Sequence, residues 1–290
     1  MIVSLSGNPK VARNVSKLLH SSCMQLEQKK FPDGELYLRF PKKLDKNVVF
    51  IQSFYGEIND RLVEAYFAAK EARKHSKKIT LVATYFPYLR QDKQFNPGEI
   101  VSNKIAAELA SDAFDEVAVF DPHLHREGKL SDIFTVKATK LTANPLIAEY
   151  IRKKIKNPFI IGPDWESYKW AERVAEIVGC ESAILEKKRI SSRKVVVKLT
   201  KKIDISDKNV VIIDDIISTG HTLLEAIKDL RKIGAKKITC IAVHGIFAEN
   251  ALEKLRKAKV SVITTNTIPN PTSKIDVSKV IADYLKNGMS

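Results

Sequence analysis

Short runs of β-branched and other apolar residues recur along the chain, and each has the length of a buried strand. We predict strands at residues 2–5, 48–52, 79–83, 117–120, 159–161, 182–185, 195–199, 210–213, 238–243 and 260–264. Helical apolar periodicity appears between many of these runs, at residues 60–74, 101–110, 167–178 and 222–233. Because strands alternate with helices, the pattern predicts an α/β fold with parallel sheets flanked by helices.

The two halves of the chain share parts of this pattern. Residues 78–83 read KITLVA and residues 237–243 read KITCIAV. The strand ending at Phe120 precedes Asp-Pro, and the strand ending at Ile161 precedes Gly-Pro-Asp, so we treat these two strands as equivalent. The 290-residue length suits two domains. We therefore predict a duplicated α/β domain, divided into residues 1–142 and 143–290.

Gly7-Asn8-Pro9 after the first strand predicts a turn.

A cluster of polar residues follows the apolar run at 210–213. Asp214 and Asp215 come first, and residues 218–222 then read STGHT before a helical segment. In an open parallel sheet, ligands bind beyond the carboxyl ends of the strands. Backbone N–H groups and hydroxyls at a helix start suit a phosphate, and the carboxylates suit vicinal hydroxyls or hydrated Mg²⁺. These residues predict a phosphorylated-sugar site, although a polar turn with a helix cap is the simpler alternative.

Two loops of the first half offer nucleotide chemistry. Residues 31–35 read FPDGE, which predicts a hairpin turn, although Phe31 could instead stack on a purine while Asp33 and Glu35 accept from its amino group. Residues 87–93 read PYLRQDK after a buried strand. There Arg90 provides a planar fork for phosphate oxygens and Lys93 a point charge, unless the loop is simply basic and solvated.

Three further loops carry candidate chemistry. His123 and His125 could form a zinc pair, but no third ligand has suitable spacing. Asp164 follows a buried strand and also suits the cap of the helix after it. Lys187 and Arg189 begin a polar segment after the strand at 182–185, and we expect a solvated loop there.

Composition narrows the class of protein. The apolar fraction of 44% and charged fraction of 29% are typical of a soluble globular protein, and no apolar run approaches the ~20 residues of a membrane span. The start of the chain does not have the pattern of a signal peptide. Cys23, Cys180 and Cys240 offer neither a disulfide framework nor a zinc spacing, which favours the cytoplasm. The net charge of +15 comes largely from scattered lysines, so we expect no nucleic-acid or membrane partner.

The strand, Asp-Asp and Thr-Gly-x-Thr pattern resembles that of the phosphoribosyl-diphosphate-binding proteins. These include the type I phosphoribosyltransferases and the ribose-phosphate diphosphokinases, also called pyrophosphokinases. Phe-x-Asp-Gly-Glu, Tyr-x-Arg-Gln-Asp-Lys, Asp-x-His, Pro-Asp and Lys-x-Arg resemble five more loops of the diphosphokinases, in family order. Ser218 and His221 stand where many relatives have Asp and Gly, which resembles the archaeal branch.

This resemblance implies two tandem phosphoribosyltransferase-like domains in a homo-oligomer, with the ATP site near a subunit interface. The implied reaction transfers the diphosphoryl group of Mg–ATP to the C1 hydroxyl of ribose 5-phosphate, with Mg²⁺ as cofactor. The implied catalytic residues are Lys187 and Arg189, and the metal residues His123 and Asp164. The implied ATP contacts are Phe31, Asp33, Gly34, Glu35, Arg90, Gln91 and Lys93. The implied ribose 5-phosphate contacts are Arg189, Asp214, Asp215, Ser218, Thr219, Gly220, His221 and Thr222.

Two alternatives remain open from the sequence. A type I phosphoribosyltransferase shares the Asp-Asp and Thr-Gly-x-Thr site, but would ordinarily lack a domain with the FPDGE and RQDK loops. A catalytically inactive regulatory or RNA-binding relative would suit the +15 charge. Against it stand Lys187, Arg189, His123 and Asp164, which are all intact. The family gives His125 no role.

Overall fold

The structure is a computed structural model that describes residues 1–124, 129–164, 167–191, 194–200 and 204–288, without the side chains of 168–169 and 186–198. The chain forms two compact units. The first contains Met1–Thr142, Thr267–Pro269 and Asp276–Ser290, and the second contains Ala143–Asn266 and Asn270–Ile275. The predicted division at 142/143 followed the order of the chain. In the structure, two later segments, Thr267–Pro269 and Asp276–Ser290, also belong to the first unit. No described helix is long and apolar enough to cross a membrane.

The first unit contains one parallel sheet, a hairpin and four helices in its described part. Its strands are β1 (Ile2–Ser4), β2 (Cys23–Gln25), β3 (Glu27–Lys30), β4 (Leu36–Arg39), β5 (Asn47–Ser53), β6 (Lys78–Tyr85), β7 (Glu116–Phe120) and β8 (Lys137–Leu141). Its helices are α1 (Pro9–Leu19), α2 (Ile58–Ala72), α3 (Ser102–Ala113) and, at the chain end, α8 (Ser278–Asn287). The sheet order is β2-β1-β5-β6-β7-β8, and β3 and β4 form a separate antiparallel hairpin.

The predicted turn at Gly7-Asn8-Pro9 is also the start of a helix. Asn8 is the N-cap of α1, and its side chain accepts from the Val11 N–H. Pro9 is the first helical residue, where its missing N–H removes no helical hydrogen bond. The sequence thus contained a helix-start signal that we interpreted only as a turn.

The second unit contains one seven-stranded sheet. Its strands are β9 (Pro158–Gly162), β10 (Ser182–Ser191), β11 (Lys194–Leu199), β12 (Asn209–Ile217), β13 (Lys237–Gly245), β14 (Ser261–Thr265) and β15 (Ser273–Ile275). Its helices are α4 (Asn144–Lys154), α5 (Tyr168–Val178), α6 (His221–Lys232) and α7 (Ala251–Lys257). The sheet order is β11-β10-β9-β12-β13-β14-β15, and only the pairing of β10 with β11 is antiparallel among those described. The predicted fold class, two parallel-sheet domains flanked by helices, is therefore confirmed.

The expected loop after Leu185 is instead an extension of β10. This strand runs to Ser191, and its residues from Leu185 onward pair with β11. The β-branched run at 195–197 supplies the partner strand, because such residues favour extended backbone. The charge-rich sequence that suggested a solvated loop therefore forms part of a two-stranded arm.

The two sheets have the same topology, which supports the predicted duplication. Apart from β11, both sheets read second, first, third, fourth, fifth and sixth strand across their width. The KIT strands β6 and β13 are both the fourth strand, as the sequence suggested. The other predicted equivalence is wrong, because the strand ending at Phe120 is the fifth of its sheet and that ending at Ile161 is the first of its own. Asp-Pro and Gly-Pro-Asp each follow the end of a strand, but they do not show which position that strand has in its sheet.

The order of strands reverses between the first and third strand of each sheet, which is where open α/β sheets commonly bind ligands. In the first unit this switch point is filled by protein atoms. The buried Glu64 carboxylate accepts from the Ser6 N–H at 2.9 Å, the Ser6 hydroxyl at 2.6 Å and the Gln52 amide at 2.8 Å. A Cβ on Gly7 would lie 2.0 Å from the Ser53 carbonyl oxygen, so not even a methyl group fits.

Candidate active site

The predicted phosphate loop lies between strand β12 and helix α6, which begins at His221. Ser218, Thr219 and Gly220 form the turn. Gly220 has φ +74°, a left-handed conformation that glycine adopts easily, and a Cβ there would lie 3.3 Å from that of Ala251. Among the described residues, no side chain caps the first turn of α6. The turn therefore presents backbone N–H groups and hydroxyls at the positive end of a helix.

Three carboxylates lie beside this loop at the switch point of the second sheet. Asp214 and Asp215 belong to β12, which continues four residues beyond the predicted end at Ile213. Asp164 follows β9, the parallel neighbour of β12. The pKa of Asp214 is raised well above its ordinary value, first by burial and then by the charges of Asp215 and Asp164. The site therefore concentrates negative charge where a cation or hydroxyl donors would relieve it.

Asp164 also shapes the turn that leads into α5. Its Oδ1 accepts from the Ser167 N–H at 2.9 Å and from the Ser167 hydroxyl at 2.8 Å. The N-cap itself is Ser167, so Asp164 supports the helix start from three residues before it. Trp165 and Glu166 lie outside the described residues.

A strained segment after β13 was not recognised from the sequence. Phe247, Glu249 and Asn250 all have left-handed backbones, with φ of +55°, +52° and +58°. The N–H groups of Ile246 and Phe247 both donate to the Ile217 carbonyl oxygen, so the segment packs against the start of the phosphate loop. Closely spaced strained residues often mark functional sites. Only the Gly245 that precedes this segment hinted at it in the sequence.

The strained segment also reaches the first residue of α6. Glu249 Oε2 lies 3.7 Å from Nε2 of His221, and both side chains are exposed. His221 and Thr222 are the first two residues of the helix, so the predicted loop 218–222 is shorter by two residues.

The FPDGE sequence forms the predicted hairpin turn between β3 and β4. The Phe31 N–H donates to the Glu35 carbonyl oxygen at 2.8 Å, and the Glu35 N–H donates to Asp33 Oδ1 at 3.3 Å. Gly34 has φ +97°, with open space where a Cβ would be. Phe31 remains 49% exposed and contacts Tyr37 edge to face. The hairpin thus leaves an aromatic ring and two carboxylates exposed at its tip.

The loop after β6 presents Arg90 to solvent. Its guanidinium makes no hydrogen bond or ion pair with any described residue, and Lys93 lies over the Phe95 ring at 5.1 Å. Gln91 differs, because its amide donates to Glu99 Oε2 at 3.0 Å. Glu99 accepts further bonds from Asn96 and the Phe95 N–H, and these hydrogen bonds lower its pKa to about 2. Residues 91–99 therefore form a turn organised around the Glu99 carboxylate. Arg90 and Lys93 remain exposed.

His123 and the catalytic candidates complete the set. His123 follows β7 and is half-buried, next to a buried Asp121 with φ +33°. His125 lies outside the described residues. Lys187 and Arg189 are two residues apart on β10, opposite Val197 and Val195 of β11, and both therefore lie on one face of the strand.

Each unit thus contains part of the predicted site. The first unit contains the hairpin tip, the Arg90 loop and His123, and the second contains the carboxylates and the phosphate loop. Within the described residues, no group of three or more His, Cys, Asp or Glu side chains is arranged to hold a metal ion on its own.

Comparisons with known proteins cover nearly the whole chain. A family model described as the N-terminal domain of ribose phosphate pyrophosphokinase matches residues 1–113. A second model, described as the phosphoribosyl transferase domain, matches residues 130–279.

Relatives and a solved structure agree with these models. The ribose-phosphate pyrophosphokinase of Pyrococcus furiosus is 40% identical over 261 residues, which cover 90% of this chain and 92% of the relative. That of Methanothermobacter thermautotrophicus is 38% identical over 290 residues, which cover 99% and 100%. The crystal structure of phosphoribosylpyrophosphate synthetase from Mycobacterium smegmatis matches with a TM-score of 0.86 and 25% identity, covering 100% of this chain and 98% of that one. The chain therefore belongs to the ribose-phosphate pyrophosphokinase family of enzymes.

Proposed function

We propose that the protein transfers the diphosphoryl group of Mg–ATP to ribose 5-phosphate. The C1 hydroxyl oxygen attacks the β-phosphorus, the bond from that phosphorus to the α,β-bridging oxygen breaks, and the hydroxyl proton leaves. The products are 5-phospho-α-D-ribose 1-diphosphate and AMP. The observation that carries this proposal is the clustering of Asp164, Asp214 and Asp215 beside an uncapped phosphate loop, in a chain whose relatives over almost its full length are named for this activity.

The second unit provides the groups that a pentose phosphate needs. Ser218–Thr219–Gly220 and the first N–H groups of α6 would bind the 5-phosphate, because no described side chain caps them at this positive helix end. Asp214 would accept from the vicinal hydroxyls of the ribose. Its raised pKa reflects a poorly solvated carboxylate, which gains by accepting such hydrogen bonds. Asp215, His221 and Thr222 border the same loop.

The first unit provides the groups that a nucleotide needs. Arg90 and Lys93 are exposed cations on one loop, and Phe31, Asp33 and Glu35 present stacking and accepting groups at the hairpin tip. In our proposal the cations bind the polyphosphate and the hairpin binds adenine. Gln91 would join them only by releasing Glu99.

The donor set also suits Mg²⁺. The carboxylates that crowd Asp214 are hard oxygen ligands, and Mg²⁺ usually takes one or two protein carboxylates and completes its shell with water and phosphate oxygens. His123 would contact the ion that is bound to ATP, with its imidazole suited to an outer-shell contact, and Asp164 would hold a second ion. When bound, Mg²⁺ supplies charge neutralisation to the polyphosphate. Lys187 and Arg189 would stabilise the charge that develops during transfer, in the way cations do in phosphoryl-transfer sites.

The experiment is an assay of AMP formation from Mg–ATP, with and without ribose 5-phosphate. We expect AMP that depends on the sugar and equals the 5-phosphoribosyl 1-diphosphate formed. A phosphoribosyltransferase would consume the diphosphate in the presence of a base and form no AMP from ATP and the sugar. An inactive relative would form neither product. Either of those results would reject the proposed reaction.

We also propose a homo-oligomer, with helices α2 and α3 as the contact surface. Val63 and Phe67 on α2 are 40% and 55% exposed, and Ile105 and Leu109 on α3 are 56% and 37% exposed. Spacing of four residues places each pair on one helix face. The helices pack together, since Tyr66 of α2 donates to Asp112 of α3 at 2.7 Å. We call the four apolar residues the α2–α3 face.

Charge favours a second copy as the occupant of the α2–α3 face. Apart from the buried Glu64, the two helices contain three basic and four acidic residues, a net charge of −1 in a chain whose net charge is +15. Two copies therefore repel least through this face, whereas nucleic acid or an anionic membrane would be attracted elsewhere. A two-fold contact would pair the face with itself.

Replacing Phe67 and Ile105 together by glutamate should dissociate the oligomer. The change places four carboxylates in the paired contact, where burying unpaired charge is costly. Sedimentation velocity would show a smaller species than the wild type at equal concentration. Leu18→Glu is the matched control, since Leu18 is 43% exposed on α1, outside this face. Unchanged sedimentation of the double variant, or an equal shift in the control, would reject the face.

We place this activity in the cytoplasm. Cys23, Cys180 and Cys240 are all free thiols. Burial raises the pKa of Cys180 to about 11, and burial with the Asp214 charge raises that of Cys240 to about 12. Such protonated thiols are packing residues, and they suit a reducing compartment.

A further inference from the structure

Tyr88 has an unusual backbone for its residue type. Its φ is +62°, in the left-handed region that bulky residues rarely adopt. It lies in the loop after β6, two residues before Arg90. Such strain persists only where surrounding contacts hold it in place, and it concentrates at functional sites.

One contact holds Tyr88 from outside its own loop. Its hydroxyl donates to Oδ1 of Asn59 at 2.5 Å. Asn59 is the second residue of helix α2, so its backbone is fixed by the helix. Among the described residues this is the only side-chain hydrogen bond that either residue makes. The Tyr88 ring is 40% exposed, so little packing replaces the bond.

Two interactions fix the backbone that leads from Tyr88 to Arg90: the hydrogen bond of Tyr88 and the burial of Leu89. Leu89 is 4% exposed and belongs to the hydrophobic core of the first unit. With Leu89 buried and the Tyr88 hydroxyl held by Asn59, Arg90 starts from a defined backbone. Its own guanidinium has no partner among the described residues, and Gln91 on its other side is held by Glu99, so the direction of Arg90 depends on the backbone at both sides.

The same helical turn also anchors the hairpin next to its tip. Lys30, directly before Phe31, lies 2.9 Å from Glu57 and 2.5 Å from Asp60. Residues 57–60, at the start of α2, therefore contact both segments to which we assign nucleotide binding. A turn that only stabilised the fold would not be expected to serve these two loops in particular.

We infer that Asn59 is a positioning residue for nucleotide binding, which acts by holding Tyr88 and thereby directing Arg90. The inference rests on the proposed function, because it takes Arg90 as a phosphate-binding group. Asn59 touches no substrate in this scheme. By fixing the backbone before Arg90, it reduces the conformational entropy that this loop loses when the nucleotide binds.

The test compares Asn59→Ala, Asn59→Asp and Tyr88→Phe in the full-length protein. Asn59→Ala and Tyr88→Phe each remove the hydrogen bond, and we expect about a tenfold higher KM for Mg–ATP with the KM for ribose 5-phosphate unchanged. Asn59→Asp keeps the accepting oxygen and suits a helix start, so its KM should lie within about twofold of wild type. The double variant Asn59→Ala, Tyr88→Phe should be no worse than either single one.

Asn14→Ala is the matched control. Asn14 also makes one exposed side-chain hydrogen bond in the first unit, to Asp276 at 3.0 Å, far along the chain from the Arg90 loop. It should leave both KM values unchanged. A purely structural role for Asn59 would instead lower the melting temperature and leave the KM for Mg–ATP unaltered, or would give equal defects in Asn59→Asp and Asn59→Ala. Either result overturns the inference.

Calorimetric titration with ADP, without sugar, separates this inference from the proposed reaction. If the wild type formed no sugar-dependent AMP, the reaction would fail, yet weaker ADP binding by Asn59→Ala and not by Asn14→Ala would still support the positioning role. If all variants bound ADP alike while the wild type was active, the positioning role alone would fail.

Discussion

Lys187→Ala is expected to lower the turnover number by ~10²–10³ while the KM for Mg–ATP changes little. The size follows from removing one preorganised group that stabilises transition-state charge. The nucleotide contacts we propose lie in the other unit, on the Arg90 loop and the hairpin, so ground-state ATP binding should persist. Steady-state kinetics with both substrates varied would measure the two parameters separately.

Lys188→Ala is the control for that variant. Lys188 is the next residue of β10 and pairs with Val196, so it lies on the opposite face of the strand. Its loss removes the same charge from the arm without removing the proposed catalytic cation. A turnover number of wild-type size in Lys187→Ala, or equal losses in both variants, would contradict the role of Lys187.

Asp214→Asn is expected to lower kcat/KM for ribose 5-phosphate by ~10² or more and to raise the melting temperature. A carboxylate that accepts from two ribose hydroxyls makes two charge-assisted bonds, each worth roughly 1.5–3 kcal/mol. The stability gain has a different origin. Because the folded-state pKa of Asp214 lies above the ordinary value of 3.8, ionisation costs the folded protein free energy as the pH rises above that value. Asparagine removes this cost.

The pH dependence distinguishes this explanation from a general packing effect. The melting temperatures of Asp214→Asn and wild type, measured without ligands or Mg²⁺, should be similar near pH 4 and diverge as the pH rises. Asp204→Asn is the control, because hydrogen bonds from Ser206 lower the pKa of Asp204. That variant should gain no stability at high pH. A wild type more stable than Asp214→Asn at pH 7 would contradict the charge-repulsion argument.

The sequence predicted the apolar strands and the place of the phosphate loop between β12 and α6 because both depend on local signals, but it did not predict the short or polar strands β2, β3, β8 and β15. Parallel strands buried on both faces require continuous apolar runs, such as Val210–Ile213, and these are visible without any tertiary information. Phosphate loops require small and hydroxyl residues at a helix start, and 218–222 has them. The family resemblance then predicted roles for the remaining loops from residue type and order.

What the sequence did not predict depends on long-range contacts. Helix α8 joins the first unit, where Asn14 meets Asp276, and residue spacing gives no sign of that pairing. The bond between Asn59 and Tyr88 joins a helix start to a distant loop. The charged end of β10 is extended because it pairs with β11, and the sequence of the charged segment alone does not show that pairing.

The filled switch point of the first unit has a consequence for stoichiometry. Duplication of one topology would by itself give two equivalent crevices for a pentose phosphate. In the first unit, however, Glu64 and Gln52 occupy the crevice with a closed set of hydrogen bonds, and Gly7 is packed without space for an extra carbon. If the function is as proposed, each polypeptide therefore has one site for the sugar. We expect titration with ribose 5-phosphate to saturate at one equivalent per chain, with the first unit free to bind the second substrate.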